Sequence, residues 1–431
     1  MFKTFKDAWK VAELRSKILF TLFILVLFRI GCTIPVPYFD DSQITVLNQL
    51  FGGGSTFGYL NLMSGSALAN GTLFALSISP YITAQIIMQL LTIAIPALER
   101  LSKEGEEGRK KIESYVRYAT VVLSVITASG YYALLNANQC IAVPAGLSKG
   151  LVAVVVIATY TAGASLVMWL AEKVNDRGIG NGISLLLFAG IVAGLPYMVV
   201  NLADTLATNV WLKVLVWAVT LIIFVLVIAF IVFVTESERR IPIQYAKKVV
   251  GRKMYGGQNS NLPIKLNMSG VMPFIFAQSI VSIPETIRMI VNPKSELANK
   301  IFDIFSPSSV VYIVILFVLI IAFAYFYLAI SFNPVEVANN LKKQGGTVFG
   351  IRPGKPTADY IRRVVNRIVL IGALFLSIIA IVPMVLPMIF PKLTAMTLGG
   401  TSMLIAVGVA IETERELEAQ MTMRNYKGFL E

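Results

Sequence analysis

Long apolar runs recur along this chain, separated by short stretches rich in Lys, Arg, Gly and Pro. A helix rises about 1.5 Å per residue, so roughly 20 apolar residues cross a hydrocarbon core. Ten such spans are predicted, at 18–34, 73–98, 117–136, 151–171, 183–200, 213–234, 269–290, 310–332, 368–391 and 395–411. The run at 310–332 carries no charge. The seventh is the most polar: Asn267 sits just before it, and Glu285 and Arg288 lie near its end. Lipid alone would hold such a helix poorly, so it is expected to pack in the protein interior or to border water.

The first run resembles a signal peptide, with Lys3, Lys6, Lys10 and Arg15 ahead of an apolar stretch from Ile18 to Phe28. Arg29 interrupts that stretch and no small-x-small site follows, so the segment reads as an uncleaved first span. Composition agrees with a membrane protein. Of 431 residues, 56% are hydrophobic and 14% charged, against about 25% charged in soluble proteins. So few charges cannot cover a water-facing surface.

The net charge of +13 matters through its placement. With the N-terminus inside, 30 Lys and Arg fall on one side and six on the other, with Arg29 inside the first span. The positive-inside rule then places both termini in the cytoplasm. Two inner segments, about 236–266 and 333–367, are long for loops and hold basic residues beside Gly and Pro punctuation. They read as ordered protrusions; the positive-inside rule explains their sign but not their length, which leaves room for docking of an anionic partner. On the other side, Phe51–Gly71 forms a half-apolar segment too short to cross. It is either an interfacial helix or a segment tucked into a cavity of the protein.

Several chemistries are excluded or disfavoured. There is no histidine, which removes zinc-histidine sites and Ser-His or Cys-His catalysis. Cys32 and Cys140 are too few for a disulfide scaffold or a four-cysteine metal site, and no cofactor is expected. Gly350–Thr357 has the wrong spacing for a phosphate loop, with Pro356 where Ser or Thr should follow Lys355. Gly178–Gly182 has no strand before it and reads as a turn. Gly190-Ile-Val-Ala-Gly194 fits a small-xxx-small packing face. The spans hold no acid at mid-depth, and Arg29 is within snorkelling reach of an interface. An ion-coupled transporter is therefore disfavoured: Pro80, Pro383 and Pro387 break helices, but without convergent charge. A membrane-embedded enzyme lacks a candidate active site.

A set of motifs points further. Phe28-Arg-Ile-Gly31 with Ile34-Pro-Val-Pro37, Ser79-Pro-Tyr-Ile-Thr83 with Gln89-Leu-Leu91, Lys103–Glu106 with Gly108–Lys111, Arg177–Ser184 with Phe188–Pro196, Asn339–Lys343, Gly350–Gly354 and Gly399–Ser402 resemble, in order, the SecY/Sec61-alpha family. SecY is the central subunit of the bacterial SecYEG translocon. The resemblance runs from the first span to the last. It implies an all-α integral membrane protein with ten transmembrane helices in two pseudo-symmetric inverted five-helix halves, 1–200 and 201–431, around a central pore.

The resemblance also implies site residues. An apolar pore ring falls on Ile78, Ile82, Ile183, Leu187, Ile275 and Ile405; within the second and fifth spans these are four apart and share a helix face. Leu187 departs from the Ile often seen there but keeps the bulk. A plug falls on about 57–70: Tyr59, Leu60, Asn61, Leu62, Met63, Ser64, Gly65, Ser66, Ala67 and Leu68. Spans two, three, seven and eight imply a lateral gate, with Gln89 and Asn267 as its polar residues. Arg239, Arg240, Lys247, Lys248, Arg352 and Lys355 imply docking of the ribosome and the SecA ATPase. SecE and SecG are implied companions in the bacterial inner membrane, and signal-bearing secretory and membrane proteins the substrates. Energy would come from a partner or the proton-motive force, since no nucleotide site is present.

Overall fold

The computed structural model describes residues 2–51, 58–144, 146–206, 209–245, 248–250, 253–255, 259–268, 270–291, 296–307, 309–390 and 399–427. From the N-terminus come α1 (Phe2–Lys10), α2 (Ala12–Gly31), α3 (Ile44–Leu50), α4 (Gly58–Met63), α5 (Ser79–Ala94), α6 (Pro96–Lys103), α7 (Glu106–Ala137), α8 (Lys149–Arg177), α9 (Gly182–Leu206) and α10 (Val210–Glu236). Strands β1 (Glu238–Tyr245), β2 (Lys248–Val250), β3 (Lys253–Tyr255) and β4 (Asn259–Lys265) follow. Then come α11 (Met272–Val281), α12 (Ile283–Val291), α13 (Glu296–Ile304), α14 (Val310–Ser331), α15 (Pro334–Lys343), β5 (Gly346–Val348), α16 (Lys355–Ile389) and α17 (Gly399–Lys427).

Helix occupies part of every predicted span, with altered bounds. Among the described residues, α7, α8, α10, the helix starting at Val310 and α16 are each long and apolar enough to cross a membrane. The pair α5 and α6 would add a sixth, although the chain bends by 101° between them. The second span starts late because residues 73–78 form turns and α5 begins at Ser79. Pro80 initiates this helix rather than breaking it: in the first turn its missing N–H has no role to fill. Pro383 and Pro387 likewise do not end α16, which runs on to Ile389.

The seventh span is divided at Ser282. Pro284 cannot donate to the carbonyl one turn earlier, so the helix restarts as α12. The inner loops correct the all-α expectation. β4, β1 and β5 form a three-stranded antiparallel sheet, and β2 pairs with β3. β1 alternates as a half-buried strand should, with Ile241 and Ile243 inward and Arg240, Pro242 and Gln244 outward. Because β5 pairs with Ile243 to Tyr245, the two basic segments meet in one sheet over a small core of Ile241, Ile264, Leu341, Val348 and Ile361.

The largest core gathers residues of α2, α5, α8, α9, α11, α14, α16 and α17. A second, around Phe51, Leu68, Tyr131 and Tyr160, lies against α3, α7 and α8. Outside these cores the helices stay apolar. On α10, Trp211 is 86% exposed and Phe233 72%, a surface suited to lipid rather than water.

Close backbone approaches set some helix crossings. A Cβ on Gly163 of α8 would lie 2.1 Å from the Leu73 carbonyl oxygen, whereas one on Gly150 meets nothing within 4 Å. Gly163→Ala is therefore expected to destabilise by about 1–3 kcal/mol and to lower the melting temperature of the purified protein. Gly150→Ala should leave it unchanged; equal melting of both variants would refute this crossing.

Candidate functional site

The six ring residues come from four segments. Ile78 precedes α5 and Ile82 lies one turn on; Ile183 and Leu187 repeat that spacing on α9; Ile275 sits on α11 and Ile405 on α17. All six are at most 4% exposed and belong to the largest hydrophobic core. Each is bulky and aliphatic, and none carries a polar side-chain group that could hold water or an ion.

The segment after α4 packs against this region. Met63 and Ala67 belong to the same core, while Leu68 and Ala69 join the second. The segment is buried, with Ser64 and Ala67 both 0% exposed, so of the two arrangements its sequence allows it takes the one tucked into the protein. Its backbone is irregular, with Gly65 at φ +63° and Ser66 at +69°, the left-handed region that favours glycine. Side chains around it satisfy its polar groups. Asn61 Nδ2 donates to the Phe51 carbonyl at 3.3 Å, and its Oδ1 accepts from the Ala69 amide at 3.0 Å. Ser77 Oγ donates to the Met63 carbonyl at 3.3 Å, Cys32 Sγ to that of Ser64 at 3.7 Å, and Arg29 Nη1 to that of Gly65 at 3.3 Å. The Tyr131 hydroxyl donates to the Leu68 carbonyl, and that of Tyr160 to the Gly71 carbonyl at 3.3 Å. Arg29 thus turns inward instead of snorkelling. The side chain of Tyr59 and residue 57 lie outside what is described.

The small-xxx-small face finds its partner here. A Cβ on Gly190 would lie 2.5 Å from the Met63 carbonyl oxygen, and one on Gly194 would lie 3.2 Å from Leu62 Cδ1. The fifth span therefore needs glycine to let α4 approach.

Along one side, α11 packs on α5 and α14, and α12 packs on α7. In the seventh span, α11 is interior, while α12 buries Glu285 but exposes Ile283, Ile287 and Val291. Gln278 is 1% exposed, and its Nε2 donates to the Tyr312 hydroxyl at 2.6 Å. Glu285 is 4% exposed. It is a buried acid near the end of its span, away from the mid-depth positions where acids are absent; its place in an otherwise apolar run was the available signal. Gln89 Oε1, Ser184 Oγ, Gln278 Oε1 and Glu285 Oε1 are buried without a hydrogen-bond partner among the described residues. Asn267, 7% exposed, lines a cavity of about 280 Å³ with Asn181, Thr235, Glu412 and Arg415. No residue of α5 lines that cavity, so Asn267 and Gln89 occupy different surroundings.

Two of the basic candidates lie on the joined sheet, and two more follow its last strand. Arg239 and Arg240 are exposed on β1, with Arg240 Nε 2.7 Å from Glu238 Oε1. Arg352 and Lys355 are exposed between β5 and the first turn of α16. Lys248 lies on β2, and Lys247 falls outside the described residues. Burial, and then the nearby Arg415 cation, hold the Lys265 amine at the end of β4 below its ordinary value.

The SecY family model matches residues 72–414. The protein translocase subunit SecY of Streptomyces lividans is 42% identical over 444 residues, covering 100% of both chains. Two solved structures share the fold. A SecY channel, whose plug domain stabilises the closed state and maintains a membrane seal, superposes with a TM-score of 0.63 at 19% identity, over 94% of this chain and 92% of that one. Sec61 from the canine ribosome-channel complex gives 0.59 at 18% identity, over the same shares.

Asn61 ties both ends of the buried segment. Asn61→Ala should speed hydrogen exchange at the Ala69 amide about tenfold, the effect of losing roughly one net hydrogen bond. The β1 amides should not change. An unaltered Ala69 rate would show that the Asn61 bridge contributes nothing in solution.

Proposed function

The chain belongs to the SecY family, and we propose on that premise that its six-residue apolar ring is the seal of the pore through which it passes polypeptide. As a SecY translocase subunit it is a multi-pass membrane protein and a protein-conducting channel, not an enzyme. The observation that carries the ring assignment is that Ile78, Ile82, Ile183, Leu187, Ile275 and Ile405 are drawn from four segments into one buried core.

A narrow aliphatic constriction dewets and so blocks ions. The same side chains can part around an extended peptide, because they offer it no fixed partner. Residues 59–69 are the plug behind the ring. Its close approach to Gly190 and its side-chain-satisfied backbone support a fitted seat. The side where α5 and α7 meet α11, α12 and α14 is the lateral gate, which releases apolar segments to lipid. Unpartnered polar groups on Gln89, Gln278 and Glu285 support this: a seam with such groups costs less to part than a wholly apolar one, because water reaching them restores missing hydrogen bonds.

The ten spans form two inverted halves, 1–200 and 201–431, with both termini in the cytoplasm of a bacterium; the 30-to-6 split of basic residues supports the orientation. SecE and SecG complete the channel. The exposed cations Arg239, Arg240, Arg352 and Lys355 receive the ribosome or SecA, which supply the drive.

Single cysteines at Ile82 and Ile275, with Cys32 and Cys140 replaced, test the ring. A stalled secretory chain bearing its own cysteine should form disulfides at both positions and none at lipid-facing Trp211. Absence of both crosslinks with an engaged chain would reject the ring, and export by another path would reject the pore. For docking, neutralising Arg239, Arg240, Arg352 and Lys355 to Gln should weaken ribosome binding. It should also reduce the slope of log affinity against log salt by roughly one for each phosphate no longer neutralised. An unchanged slope would place docking elsewhere.

A further inference from the structure

Arg29 stands out once the fold is known. It lies on α2, the first span, among Leu25, Val26, Leu27, Phe28 and Ile30. A guanidinium is always charged and brings five donors, so its presence in an apolar stretch is costly unless it has a partner. It sits in the last turn of α2, half-buried, two residues before the helix ends at Gly31. Its Nη1 donates to the carbonyl of Gly65, 36 residues on, at 3.3 Å.

The fit around that carbonyl is tight. Gly65 adopts φ +63°, and a Cβ there would lie 2.4 Å from Arg29 Nη1 and 3.1 Å from Gly190 Cα. The turn at 63–65 is thus held between the first span and the fifth. The carbonyls of Met63, Ser64 and Gly65 lie at the end of α4, where helix bonding stops, and that of Ser64 also accepts from the Ala67 amide at 3.4 Å. Ser77, Cys32 and Arg29 each take one of them. Arg29 is the only cation of the three, and charge-assisted bonds are about twice as strong as neutral ones.

We propose that Arg29 is the positioning residue that latches the plug in its seat, and that the latch is released by water. The inference rests on reading 59–69 as the plug. In the sealed state the Gly65 carbonyl compensates the guanidinium. If the plug left while the vestibule stayed dry, Arg29 would lose that bond in an apolar surround, which opposes spontaneous opening. When a polypeptide parts the ring and water enters, the guanidinium is solvated and the opposition vanishes. The same charge then favours the closed plug only while the pore is dry, so plug release follows ring opening.

The test is resting ion conductance of the purified channel complex in planar bilayers, in the full chain and after deletion of residues 59–67. Arg29→Gln should raise conductance of the full chain at least about tenfold, the factor a charge-assisted bond corresponds to. It should add nothing in the deletion background. Arg29→Lys, which keeps the cation, should restore most of the seal. Gly65→Ala, whose Cβ would displace Nη1, is a second route: it should raise conductance, with no further rise when combined with Arg29→Gln.

If the deletion raises conductance but Arg29→Gln and Gly65→Ala do not, the plug reading stands and the latch is overturned. If Arg29→Gln raises conductance equally in both backgrounds, Arg29 acts elsewhere and the latch is likewise overturned. If the deletion itself leaves conductance unchanged, the plug reading fails and takes the latch with it.

Discussion

A backbone carbonyl removed from water must find a donor, and the irregular stretch between α4 and α5 concentrates that demand. Helices meet it internally. Residues 64–78 are turns and irregular backbone, and several carbonyls of 63–71 depend on side-chain donors. Arg29 and Cys32 come from α2, Tyr131 from α7, Tyr160 from α8 and Ser77 from the stretch itself. These donors tie the first, third and fourth spans to one short segment. The arrangement of the N-terminal helices therefore has a buried polar reason as well as an apolar one.

The apolar ring has the opposite character. Its six aliphatic residues make no directional side-chain bond and are held by burial alone. Burial is roughly proportional to area and indifferent to partner, so contacts of this kind are less specific than the directed hydrogen bonds around residues 63–71. The buried Glu285 and the half-satisfied Gln278 lie where α11 and α12 meet α5, α7 and α14, and they keep that seam from becoming a wholly apolar interface.

On the basic face, strand pairing does what the helices cannot. β5 lies beside β1, so two segments about a hundred residues apart share one sheet and one small core. Arg239 and Arg240 are thus presented on a firm base, and Arg352 follows the strand that completes it. Pro242 is tolerated on β1 because β5 begins its pairing only at Ile243.

Much was readable from the residue order. Apolar length located helix in all ten predicted spans, and the predicted spans put most basic residues on one side. The motif resemblance implied six positions for a ring, and all six are buried in one core. The spans and the charge pattern depend on local composition, which a linear reading contains; the six positions came from the resemblance. The rest depended on partners distant in the chain. Arg29 looked like a snorkelling residue because its acceptor is 36 positions away. Gly190 and Gly194 looked like a generic packing face until α4 was seen against them. Pro80 looked like a breaker, but proline in a first turn starts a helix, and only the turns before Ser79 show where that turn lies. The basic segments read as ordered protrusions but not as strands, because a sheet is defined by which strands meet. Sequence determined which segments are apolar enough to bury or to span. Tertiary structure decided which polar group answers which, because hydrogen bonds join atoms close in space and not in number.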